Sequence, residues 1–103
     1  MQQRRKIMHN KLIFSDHAIT QAQRRGIDSA VVNYAVEFGK RMHAGGGLLR
    51  CFFDKRARSR LRNVIPRQVY AQIEKKLDCF VILSEDESII ITVGHQYQKV
   101  WCR

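Results

Sequence analysis

The stretch SDHAITQAQRRGIDSAVVNYAVEFG, from Ser15 to Gly39, decides the fold. Ser15 or Asp16 can accept a hydrogen bond from the free N–H groups that open a helix, and Gly26 suits its C-terminal stop. Asp28 or Ser29 then starts a second helix, which Gly39 closes. In the second helix Val31, Val32, Ala35, Val36 and Phe38 form a wide apolar face. The first has only a narrow one, Ala18 and Ala22. Beside it, at about 100° per residue, His17, Gln21 and Arg24 share a polar stripe. The stretch predicts a helical hairpin over residues 16–39.

Working outward, Gly45-Gly46-Gly47 reads as a flexible turn and LLRCFF (Leu48 to Phe53) as a strand. The run KRARSRLR (Lys55 to Arg62) alternates basic with small or apolar residues, so residues 55–65 read as a basic loop or strand edge. Pro66 suits the first turn of an inserted helix reaching Leu77, with Val69, Ile73 and Leu77 facing inward. CFVIL (Cys79 to Leu83) reads as a buried strand. Glu85-Asp86-Glu87 makes a turn, and SIIITVGH (Ser88 to His95) returns as the second arm of a hairpin. Residues 1–13 form a basic arm, with Ile13 and Phe14 leading into the first helix. No repeat or linker divides the chain, so residues 1–103 are expected to be a single domain. The expected class is α+β: an N-terminal helical hairpin packed on a small antiparallel sheet of three to four strands, with one inserted helix.

The charge narrows the partner. Nineteen Lys and Arg face nine Asp and Glu, a formal net charge of +10 in 103 residues. From Lys40 to Lys76 there are eleven basic residues and only two acids, Asp54 and Glu74. Such a balance points to nucleic acid, an acidic protein or an anionic surface. The three cysteines, Cys51, Cys79 and Cys102, have no CxxC spacing, which argues against a disulfide framework and for a reducing cytoplasm. The four histidines lack paired ligand spacing, so neither a metal nor a cofactor is expected. No apolar run reaches membrane-spanning length, and the first fourteen residues do not read as a secretory signal. No membrane is expected among the partners.

Several residues can carry chemistry. RNA brings its own nucleophile, the 2′-hydroxyl. Cleavage without a metal needs a base, cations for the phosphorane charge and an acid for the leaving 5′-oxygen. His17 is the candidate base; a histidine at a helix start also serves as an ordinary surface or capping residue. Arg24 and Arg25 can grip phosphate, or simply offset the helix dipole in the last turn. His95 reads as a strand-end acid or a partly buried edge residue, on the face of Ile89, Ile91 and Val93, and Thr92, on the other face, is a candidate hydrogen-bond donor to phosphate. Arg50 and the run Lys55, Arg56, Arg58, Arg60 and Arg62 are the candidate nucleic-acid contacts. His43 falls on a mobile loop beside the glycines, and His9 in the arm. Ala22, Gly26, Val32 and Ala35 match part of a helix-turn-helix spacing, but Gln21 and Arg25 stand where that motif buries apolar side chains.

HAITQAQRRGI, the following VVNYAVEFGK and the C-terminal IIITV together resemble the bacterial domain-of-unknown-function family 4258, over residues 14–54 and 78–95. His17, Ala18, Arg25, Gly26, Ile27 and Thr92 carry the resemblance. That family is similar to the RelE and BrnT toxins and to the barnase–EndoU–colicin–RelE group of metal-independent ribonucleases. The resemblance implies a cytoplasmic endoribonuclease of toxin type, acting on RNA (ribosome-bound RNA included) and paired with an acidic antitoxin protein. Gln21 departs from the pattern, standing where the family usually has an arginine. The alternatives are a non-catalytic nucleic-acid-binding or regulatory module, or an adaptor for an acidic protein.

Overall fold

The computed structural model describes residues 12–96; the basic arm before Leu12, with His9, and Cys102 lie outside them. Its elements are β1 (Ile13–Phe14), α1 (Asp16–Arg25), α2 (Ser29–Phe38), β2 (Lys40–His43), β3 (Leu49–Phe52), α3 (Lys55–Val64) and α4 (Arg67–Ile73). A 3-10 turn (Glu74–Lys76), β4 (Cys79–Leu83) and β5 (Ile89–His95) complete the order. The five strands form one sheet, β1-β5-β4-β3-β2, antiparallel except where β1 runs parallel to β5.

The α+β class holds, but the sheet has five strands rather than three or four and is mixed. The two strands missing from the sequence reading are its edges. β2 is the short KRMH segment, whose residues are exposed or half-buried and show no apolar alternation. Polar, basic residues are usual on an edge strand, which packs against only one neighbour. β1 has two residues, and its pairing partner lies at the other end of the chain (Ile13 with Ile89, Phe14 with Ile90).

The helices also differ from the expected arrangement. α1 lies along β5 and α2 crosses β3 and β4, so each packs chiefly on the sheet rather than on the other as a hairpin. The inserted segment contains two helices, not one. Residues 55–64, expected as a loop or strand edge, form α3, because Asp54 accepts a hydrogen bond from Ala57 N at 2.8 Å and so caps the helix. Arginine propagates a helix well, and Ala57 and Leu61, four residues apart, supply the apolar contact. Pro66 stands at the N-cap of α4, one residue before the helix. His43 is the last residue of β2 and not part of a loop.

Caps fix α1 in position. Ser15 Oγ accepts from Ala18 N at 3.0 Å and donates to the Ile91 carbonyl at 2.9 Å, joining the start of α1 to β5. Gly26 closes α1 at φ 66°, a left-handed conformation that costs any other residue. The Ile91 carbonyl is available because β5 bulges there: Ile82 pairs with Thr92 but Leu83 with Ile90. The bulge also corrects the face assignment. Ile90 and Val93 turn into the core, while Ile89 is exposed and Ile91 half-buried.

A single core lies between the helices and one face of the sheet. It joins Ala18, Val31, Val32, Val36, Ala57, Leu61, Tyr70 and Leu77 to Cys51, Cys79, Val81, Leu83, Ile90 and Val93. Burial pushes both thiols up to about 11, so Cys51 and Cys79 are core atoms and not nucleophiles at neutral pH. The strand residues pointing the other way, among them Arg50, Phe80, Ile82 and Thr92, stay outside this core. No helix of the described residues covers that face.

Candidate nucleic-acid interface

The expected site residues fall into separate places. His17, exposed at the start of α1, has no hydrogen-bond or ion-pair partner among the described residues. Arg24, on the same stripe two turns on, is likewise exposed, with no partner among the described residues. Arg25 Nε donates to Gln21 Oε1 at 3.3 Å, so the glutamine at the departing position holds the neighbouring arginine along the helix. On the opposite flank of α1, Phe14, Ile19, Ala22 and Ile27 help line an open, largely apolar depression of about 390 Å³.

His95 stands at the other end of α1. Its Nε2 lies 2.8 Å from the Arg25 carbonyl oxygen, a contact in which the ring nitrogen must be the donor. The Arg25 carbonyl is one of the last four of α1, which have no acceptor role within the helix, so His95 caps it. Eight residues of helix separate His17 from Arg25, about 12 Å along the axis. The two histidines therefore do not flank one phosphodiester. Thr92 is further removed: the β5 pairing places it on the opposite face of the sheet from His95.

The basic run is divided by the helix it forms. Ala57 and Leu61 are fully buried, which sets the inward side of α3. Arg58 and Arg60 lie on its two flanks and are engaged: Arg58 pairs with Asp78 at 2.7 Å, and Arg60 donates to the Phe38 carbonyl at the end of α2 at 2.7 Å. Lys55, Arg56 and Arg62 point outward, exposed, with no partner among the described residues. Three of the five cations thus form a free, rigidly mounted positive face.

Arg50 belongs to neither helix. It is half-buried on the face of the sheet turned away from the helices, its guanidinium carbon 4.3 Å from the centre of the Phe80 ring, and donates to Gln96 Oε1 at 3.1 Å. Phe80 in turn lies on Gly94, where a Cβ would come within 2.8 Å of the ring. The sequence reading missed Phe80, Gly94 and Gln96. The available signal was the glycine inside an otherwise β-branched strand, which marks a close approach.

Among the described residues no cluster of three His, Cys, Asp or Glu side chains could hold a metal ion, and no helix is long and apolar enough to cross a membrane. No curated protein and no solved structure matches the chain at a significant level. The family model described as Domain of unknown function (DUF4258) does match, over residues 14–95, from within β1 to the last residue of β5. With most of its length covered, from the α1 stripe through the sheet, the chain belongs to that family.

Proposed function

We propose that this protein binds RNA by its phosphate backbone, with the outer face of α3 making the main contacts. The observation that carries the reading is the division of the basic run. Lys55, Arg56 and Arg62, without partners among the described residues, are spread over the outer half of a helix seated in the core, while Arg58 and Arg60 hold the fold. Cations whose helix is already ordered bind a polyanion with little further conformational cost. Each phosphate neutralised releases counterions, at about 0.7 to 0.9 in the slope of log affinity against log salt. The test is RNA binding measured from low to moderate salt. Replacing Lys55, Arg56 and Arg62 together by alanine should lower the slope by about two to three. A variant with the wild-type slope sinks this reading. A tight complex with an acidic protein that survives nuclease, with no RNA affinity, favours the adaptor instead.

A second reading, metal-independent endoribonuclease of toxin type, is favoured by one feature. His17 is exposed, with no partner among the described residues, on the helix face it shares with Arg24 two turns on, in the segment that carries the family resemblance. In that reaction His17 takes the proton of the 2′-hydroxyl, whose oxygen forms a bond to phosphorus as the bond to the 5′-oxygen breaks. Arg24 offsets the charge on the phosphorane. With His95 held at the far end of α1, the 5′-oxygen takes its proton from water. Cleavage in EDTA leaving a 2′,3′-cyclic phosphate, and its loss in His17→Ala, are the expected results. Products unchanged in His17→Ala would refute it.

A further inference from the structure

We infer that the face of the sheet turned away from the helices is a base-stacking site for single-stranded RNA, built on the Arg50 guanidinium. The inference rests on the RNA-binding reading and extends it to a second surface, across the sheet from the helices.

The site is assembled in layers. Gly94 leaves room on β5, and the Phe80 ring fills it, closer to the backbone than a Cβ would allow. Arg50, on β3, lays its guanidinium over the ring at 4.3 Å from the centroid. Gln96 Oε1 accepts one of its N–H groups at 3.1 Å and fixes the plane. A guanidinium held over an aromatic ring is attracted by the ring's quadrupole. The residue is thus oriented before any ligand arrives.

The occupant follows from what this arrangement presents. Gln96 engages one edge of the guanidinium, and the bidentate grip on a carboxylate or phosphate uses those edges. The plane itself is the larger surface on offer, and planar bases stack on arginine as well as on aromatic side chains. Alongside, Met42 is exposed and apolar, and Lys40 adds a second cation. None of the strand residues turned to this face is acidic. A flat, apolar and cationic surface suits unpaired bases followed by their phosphates. Double-stranded RNA hides its base faces and fits it poorly.

The test uses the full chain and a single-stranded oligoribonucleotide containing 2-aminopurine, whose fluorescence falls when the base stacks. Wild type should quench it. Arg50→Lys keeps the charge but removes the plane; it should lose roughly tenfold or more in affinity and most of the quench, with the salt slope kept. Phe80→Leu, checked for folding by circular dichroism, should show a smaller loss in the same direction. The triple alanine variant of Lys55, Arg56 and Arg62 should lower the salt slope yet still quench at saturating protein. Salt-sensitive binding without quench, or full quench in Arg50→Lys, overturns the stacking site alone. Absence of any RNA binding by wild type overturns both readings.

Discussion

α1 and α3 are each ten residues long, begin with a side-chain cap and carry several cations, yet they use those cations differently. In α1, whose cations are Arg24 and Arg25, one is tied down within the helix: Gln21 holds Arg25, and His95 caps the helix end through the Arg25 carbonyl. In α3 two arginines anchor the flanks and three cations have no partner among the described residues. The comparison teaches that charge along a sequence shows how much positive surface exists. Helical phase shows which part of it is available. Positions opposite Ala57 and Leu61 are free, and those about 80° from the buried side reach neighbours.

The comparison can be broken at the seat of α3. Leu61→Ala removes a fully buried side chain, and urea denaturation should show a loss of about 2 to 5 kcal/mol. A negligible loss would mean that α3 does not mount its cations rigidly. Next in size is the left-handed closure of α1. Gly26→Ala should cost about 1 to 2 kcal/mol in the same measurement, because φ there is 66°. The two engaged arginines sharpen the contrast. Arg58→Ala should lower stability by about 1 kcal/mol or less, as the ion pair is partly exposed, and leave the RNA salt slope unchanged. A slope that falls with Arg58→Ala as with the outer cations would erase the distinction.

The smallest effect concerns the β4–β5 turn. Asp86 is held below its ordinary 3.8 by hydrogen bonds from the side chains of Ser88 and Ser84, then from the Ser88 backbone. A depressed carboxyl contributes stability that is present above its unfolded pKa and lost as pH falls through its folded value. Melting temperatures of wild type should therefore drop more steeply on acidification below about 4 than those of Asp86→Ala. Parallel acid profiles would remove the turn from the stability account.

Much of the fold was legible because local chemistry dictated it. Ser15, Gly26 and Gly39 bound the first two helices, and the apolar runs at 79–83 and 89–95 formed the hairpin. The basic run was not legible: period-2 alternation in KRARSRLR resembles a strand, while the Asp54 cap and the Ala57–Leu61 spacing make it a helix. Of the candidate site, His17 and Arg24 do share one helix face. Their separation from His95 and Thr92 was invisible, since it depends on where β5 meets α1 and on a bulge at Ile91.

The sequence by itself determined a basic α+β domain, because composition, caps and periodicity act over a few residues. Only the tertiary structure decided which cations are spent on carbonyls and carboxylates and which remain free. It alone brought Arg50, Phe80, Gly94 and Gln96 into one stack. The reason is physical: these contacts are set by strand register across β3, β4 and β5, and register joins residues that no local spacing relates.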